Sequence, residues 1–410
     1  MPIEIQQERL TRELARLATF SASPPPAVTR VVFSAEDLAA RAYFHELCQE
    51  AGLSIRVDAI GNTFARWEGT DPLLPAVATG SHIDAIPEAG AYDGTVGVLG
   101  GLEAIRALQR SGARFRRSIE LVLFTSEEPT RFGIGCLGSR MLSGNLPLDP
   151  AALRDAEGRT LDAVRAAAGF SGGLDVALPD GFYSCFLELH IEQGPLLERQ
   201  QAPIGIVTNI AAPASLRISV QGEGGHAGAV LMPDRHDAFL AAAEVALAVE
   251  EAAKSTGSID TVATVGICDL FPRAVNSIPS AVHMELDVRD TDAARRDRVI
   301  ESIVDACQAV ASRRQLAIEV EMRNADDPAE SDPHAVAVIQ EVCDALRIPA
   351  MKMISRAYHD SLFMSHLGPM AMIFIPCRGG VSHRPDEYAA PEDVARGALV
   401  LAHALARLAS

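Results

Sequence analysis

The chain has 410 residues, 48% of them hydrophobic and 22% charged, with a formal net charge of −18. That length is more than one compact core usually serves and points to two domains. The acidic excess disfavours nucleic acid and anionic membrane surfaces as partners, and no apolar run reaches transmembrane length.

The seven cysteines are scattered, with no C-x-x-C pair. They read as reduced thiols, not as a disulfide framework or a thiolate metal site. The first residues, "MPIEIQQERLTREL", carry acids and no apolar signal core. The expectation is a cytoplasmic protein.

In chain order, "LTRELARLATF" and "AEDLAARAYFHELCQEAG" have helical periodicity, the second closing at Gly52. "AVATGSHID" reads as a strand up to Ser81, and "TVGVLGGLEAIRALQRSG" as a helix closing at Gly112. "LVLF", from Leu121, is a short buried strand, and "FLELHIEQG" follows as another. Strands alternating with helices imply α/β organisation.

The pattern changes near residue 210. "ASLRISVQGEGGHAG" alternates, "DRHDAFLAAAEVALAVEEAAK" is helical, "IDTVATVGICDL" is a strand and "AVHMELDVRD" alternates again. "RDRVIESIVDACQAVASRR" is helical and "LAIEVEMR" closes the set. A β-α-β-β-α-β order predicts a ferredoxin-like sandwich. The helix "PHAVAVIQEVCDALRI" and strand "MAMIFIP" then return to the first style. The expected domains are therefore 1–209 and 326–410 together, with 210–325 inserted.

The strand ends carry the chemistry. One runs into His82 and Asp84, one into Glu127-Glu128, one into His190, and one through "CRGGVS" into His383. Open α/β sheets bind ligands beyond the carboxyl ends of their strands. Asp93 adds a further acid before a glycine-rich helix start. Imidazole and carboxylate suit zinc or manganese, and two ions would compensate the adjacent glutamates. Taken singly, each residue has a plainer reading. Asp93 also reads as a helix N-cap, Glu127-Glu128 as a solvated pair facing Arg131, and each histidine as a polar loop residue.

The segments "GSHIDAIPEAGAYDGTVGVLGGLEAI", "TSEEPTRFG", "ELHIEQGPLLE", "GEGGHAG" and "GGVSHRPDEY" resemble, in order and over nearly the whole chain, the hydantoinase/carbamoylase group of M20 amidohydrolases. The resemblance implies an α/β, binuclear-metal exopeptidase-like catalytic domain with an inserted ferredoxin-like α+β lid and dimerisation domain. It implies a homodimer with two divalent ions per subunit, zinc, manganese or cobalt. By the same resemblance, His82 and His190 hold one metal, Glu128 and His383 the other, and Asp93 bridges. Glu127 resembles the general base, and Asp84 the acid that orients the His82 imidazole. His226 resembles a carbonyl-polarising residue that reaches the other subunit's site. Gln193, Asn276, Arg289 and His359 resemble substrate-binding residues. Arg289 lies between Asp287 and Asp290, so a surface ion pair is its plainer reading.

One segment departs from the commoner pattern, S-G-A-x-H-D-A. Here "SRAYHDS" has Arg356 for the glycine and Ser361 for an alanine, and looks closer to plant ureidoglycolate amidohydrolases. "GIGCLG" at Gly133 fits a dinucleotide-binding spacing but lacks the βαβ context. The first expectation is hydrolysis of N-carbamoyl-L-amino acids, small anionic ureido acids. Ureidoglycolate or allantoate hydrolysis, an exopeptidase, and a non-catalytic metal-binding assembly protein are the alternatives.

Overall fold

The computed structural model describes residues 2–410. The chain forms two compact units. Unit 1 holds the residues up to Thr208, then Glu330–Ser355 and His359–Ser410; unit 2 holds Asn209–Ala329 and Arg356–Tyr358. The three residues Arg356–Tyr358 thus belong to unit 2 while their neighbours on both sides belong to unit 1.

Unit 1 is built on a nine-stranded mixed sheet. At its centre Met370–Ile375, Tyr183–Ile191, Ala76–His82 and Ile119–Phe124 run parallel. Met370–Ile375, Ala76–His82 and Ile119–Phe124 are buried at every position, as expected for strands covered on both faces. That is why "LVLF" and "MAMIFI" read as continuous apolar runs and not as alternations. The helix Thr95–Ser111 packs into the same core through Val96, Val98, Leu99, Leu102 and Ile105. It approaches the sheet closely: a Cβ on Gly97 would lie 2.4 Å from the Leu189 carbonyl oxygen. The helix stops at Gly112, which adopts the left-handed conformation (φ 77°) that caps helices. Because the central strands are parallel, their carboxyl ends, and the residues that follow them, share one edge of the sheet.

Unit 2 is a four-stranded antiparallel sheet in the order Val262–Phe271, Ala281–Asp290, Ala212–Gln221, Ala317–Ala325. In sequence terms that is 2-3-1-4, the ferredoxin-like arrangement, with helices Ala238–Ser255 and Ala293–Arg314 completing it. Burial alternates along Ala281–Asp290, and Val282, Met284, Leu286 and Val288 join Val245, Val249, Val299 and Ile303 in one core. Asp237 and Asp292 cap the two helices by accepting backbone N–H groups. Among the described residues, no helix is long and apolar enough to cross a membrane.

Candidate active site

The paired glutamates are held by backbone chemistry. Ser126, directly after the strand Ile119–Phe124 and Thr125, adopts a left-handed conformation (φ 58°), which turns the chain before Glu127. The N–H groups of Glu127 and Glu128 then donate to the two oxygens of Asp84, at 3.2 and 3.0 Å. Behind them, the N–H groups of Cys136, Leu137 and Gly138 donate to the carbonyls of Glu127, Ser126 and Thr125. Asp84 is buried, and its carboxylate organises this turn. The His82 ring is bonded instead to the Asp84 carbonyl, Nδ1 to oxygen 3.0 Å, with the carboxylate 3.8 Å away.

Asp93 sits at the centre of the site. Its Oδ1 lies 3.1 Å from His190 Nε2 and 3.7 Å from His82 Nε2. Its Oδ2 lies 3.2 Å from His383 Nε2, which is itself 3.4 Å from Glu128 Oε1. Besides the set Glu188–His190–His359, two candidate donor groups meet at Asp93, His82–Asp93–His190 and Asp93–Glu128–His383. They share one carboxylate, and each uses a different oxygen of it. Glu127 Oε2 is 3.8 Å from His82 Nε2 and belongs to neither group.

The donor set fits divalent cations. His82 and His190 both bond a backbone carbonyl through Nδ1, which fixes their rings and turns Nε2 to the cluster. The electrostatics point the same way. Burial pushes the Glu127 carboxyl well above the ordinary glutamate range, and Glu128, Asp360 and Asp93 push further, against His82. Burial and Asp93 raise Glu128 to about 7. The hydrogen bond to Asp93 raises His383 to about 9. Burial opposes ionisation of Asp93, but hydrogen bonds from His190, His383 and His82 hold it well below the carboxylate range. Two cations would satisfy these acids without protonating the histidines.

Gly94 is required here. It has φ 65°, and a Cβ on it would lie 2.5 Å from the His82 ring. Gly94→Ala is expected to strain the backbone by about 1–3 kcal/mol and to displace His82. Lower metal affinity by calorimetry, with a lower melting temperature, is the expected result. Unchanged affinity would mean that the ring has room to move.

Several neighbours escaped the sequence reading. Glu387 is buried and accepts from the N–H groups of Tyr92 and Asp93 and from Ser382. Ser382 also reaches Asp93 Oδ2 at 3.0 Å. Both lie in "GGVSHRPDEY", beside His383, which was the available signal. Cys136, within "GIGCLG", points its thiol at Glu127 Oε1, 3.5 Å away. "GFSGG" at Gly169 has the spacing of a serine nucleophile elbow, but Ser171 is exposed in a loop and not on a strand-to-helix turn.

Gln193 and His359 also lie in unit 1. Gln193 donates its amide to Asp93 Oδ2 at 2.7 Å. His359 is buried, with its ring 4.4 Å from that of His190. His226, Asn276 and Arg289 belong to unit 2. His226 and Asn276 are exposed neighbours, joined by a bond from the Ala227 N–H to the Asn276 carbonyl. Arg289 forms a bidentate pair with Asp287, at 2.7 and 3.1 Å, and lies over the Tyr358 ring.

Residues 78–407 match the model of peptidase family M20/M25/M40. The chain belongs to this family. Within it, the M20 chain is 52% identical over 415 residues to ureidoglycolate hydrolase of Arabidopsis thaliana, covering 99% of this chain and 87% of that protein. It is 36% identical over 408 residues to N-carbamoyl-L-amino-acid amidohydrolase of Pseudomonas sp. (strain NS671), covering 97% of each. A crystal structure of AtUAH in complex with (S)-hydroxyglycine superposes with a TM-score of 0.93 at 51% identity, covering 99% of this chain and 98% of that one. This M20 member is thus a ureido amidohydrolase of the hydantoinase/carbamoylase group, acting on non-peptide carbon–nitrogen bonds.

Proposed function

We propose that this amidohydrolase acts on ureidoglycolate. The observation that carries the reading is the gap between 52% identity to a ureidoglycolate hydrolase and 36% to an N-carbamoyl-L-amino-acid amidohydrolase, both over nearly the whole chain. N-carbamoyl-L-amino acids, the first expectation from sequence, become the second reading.

In this proposal His82, Asp93 and His190 hold one divalent cation, and Asp93, Glu128 and His383 a second. When bound, the pair supplies Lewis acidity toward the ureido carbonyl and the attacking water. Glu127 takes the proton from water and delivers it to the leaving nitrogen. Ammonia leaves, and the remaining carbamate loses carbon dioxide. From ureidoglycolate this gives hydroxyglycine, which loses a second ammonia to become glyoxylate. AtUAH has been crystallised with (S)-hydroxyglycine and with glyoxylate, and that chemistry supports the reading.

Arg289 is proposed to bind the substrate carboxylate. Its planar fork suits a carboxylate, and the chain's net charge of −18 gives an anion no general attraction. Arg289→Lys keeps the charge and loses the fork. Loss of one charge-assisted hydrogen bond, about 1.5–3 kcal/mol, should raise KM roughly 10–100-fold with metal content unchanged. An unchanged KM would reduce Arg289 to the partner of Asp287.

A homodimer through unit 2 is proposed as well. The strand Val262–Phe271 ends its sheet and contains neither lysine nor proline to discourage pairing. It exposes Ile267 and Phe271, and the helix Ala238–Ser255 exposes Phe239, Leu240 and Leu247. Light scattering should give twice the chain mass, and Leu247→Glu should lower it; a monomeric wild type overturns this part.

The test of substrate is a parallel turnover screen of ureidoglycolate, allantoate, N-carbamoyl amino acids and dipeptides, with manganese, zinc or cobalt added. Ureidoglycolate should lead in kcat/KM by about tenfold or more. A lead by N-carbamoyl amino acids would reverse the order of the two readings.

A further inference from the structure

The two strands that end near His82 and His190 part company before they reach the site. Backbone pairing between Ala76–His82 and Tyr183–Ile191 runs from Ala76 with Tyr183 to Thr79 with Leu187. Beyond that point a side chain spans the gap. Glu188, fully buried, accepts from Ser81 Oγ at 2.8 Å through Oε1. Through Oε2 it accepts from the Ser361 N–H at 3.1 Å and from Ser361 Oγ at 2.6 Å. Ser81 precedes His82, Glu188 stands two before His190, and Ser361 stands two after His359. Ser81 and Ser361 are also fully buried.

A buried carboxylate is costly, and Glu188 is met here by two serine hydroxyls and a backbone N–H. An apolar side chain would fill the space at less cost. What a carboxylate adds is a rigid plane with acceptors on two sides, which holds its donors at a set separation. The helix Thr95–Ser111 enters the same region, since a Cβ on Gly97 would lie 2.7 Å from Ser81 Cβ. Strand separation is thus fixed from two directions.

We infer that Glu188, through Ser81 and Ser361, is the positioning residue that sets the mutual placement of His82, His190 and His359. The inference rests on the proposed metal-binding role of His82 and His190. It also explains Ser361, the departure from the commoner alanine, which adds a hydroxyl donor to the backbone N–H already there.

The test is calorimetric titration of the full-length protein with manganese, beside kcat and KM on ureidoglycolate. Ser81→Ala removes a donor and keeps the Cβ. It should weaken manganese about 10–100-fold, the usual effect of a partner behind a ligand, and Ser361→Ala should weaken it less, because its N–H remains. Glu188→Gln keeps the spacer: serine hydroxyls can turn to accept from the amide, so affinity should stay within about threefold of wild type. Wild-type affinity in Ser81→Ala, or a Glu188→Gln as weak as Ser81→Ala, overturns the positioning role. A wild-type protein that binds no manganese, zinc or cobalt overturns the metal reading and this inference with it.

Discussion

Glu127→Gln is expected to keep both cations and to lose turnover by about 10²–10⁴-fold, the usual contribution of a general base. The substitution is close to isosteric, and the position of residue 127 does not depend on its side chain. Its N–H is held by Asp84, and its carbonyl accepts from the Cys136 N–H at 2.7 Å. Glutamine therefore stands where glutamate stood. It cannot take a proton from water. Neither donor group includes Glu127, so metal content should not fall. Metal per chain by atomic absorption and kcat would be measured on the same sample. Near-normal turnover removes the base from Glu127, and loss of a metal makes it a ligand.

Asp93→Ala is expected to lose both cations, and His383→Ala only one. The difference follows from the two oxygens of Asp93. Oδ1 faces His82 and His190, while Oδ2 faces His383. Its removal leaves each group with two donors, too few to hold an ion against water. His383 serves only the group with Glu128 and is half exposed, so its loss leaves His82–Asp93–His190 whole. Activity should fall by at least about 10³-fold in Asp93→Ala, the scale of losing metal-assisted chemistry and not one contact. The stoichiometries would be read by titration. Equal loss in both variants would show one cooperative centre; retained metal in Asp93→Ala would overturn the shared-carboxylate reading.

The fold was legible because its periods are clean. Short apolar runs such as "LVLF" marked the parallel sheet of unit 1, and alternation in "AVHMELDVRD" marked the antiparallel sheet of unit 2. Strand ends exposed His82, Glu127, Glu128 and His190 as candidates, because a parallel sheet puts those ends on one edge. What escaped was whatever depends on which atom of a residue is used. Asp84 does contact the His82 ring, but the nearer contact is its carbonyl, while its carboxylate holds two backbone N–H groups. Sequence cannot separate these, since both place an acid two residues after a histidine. Glu188 sits inside an apolar strand, where its period-2 position says only that it is buried. Its partners Ser81 and Ser361 are 107 and 173 residues away. Residues 356–358 grouping with unit 2 had no signal at all.

That last grouping bears on recombination. The proposed metal ligands and base are all in unit 1, whereas His226, Asn276 and Arg289 are in one stretch of unit 2. An insert running from 209 to 329 would look like a cassette that could be exchanged between relatives to change substrate. It would be an incomplete one. Arg356 is bonded to Asp260, 96 residues upstream, and Tyr358 lies under Arg289, 69 residues upstream, so half of each pair is encoded outside the contiguous stretch. A chimaera built from the contiguous stretch alone would inherit mismatched halves. A working graft has to carry two segments, the long one and the triplet Arg356–Tyr358, and lineages that swapped only the first would have kept a fold and lost a fit.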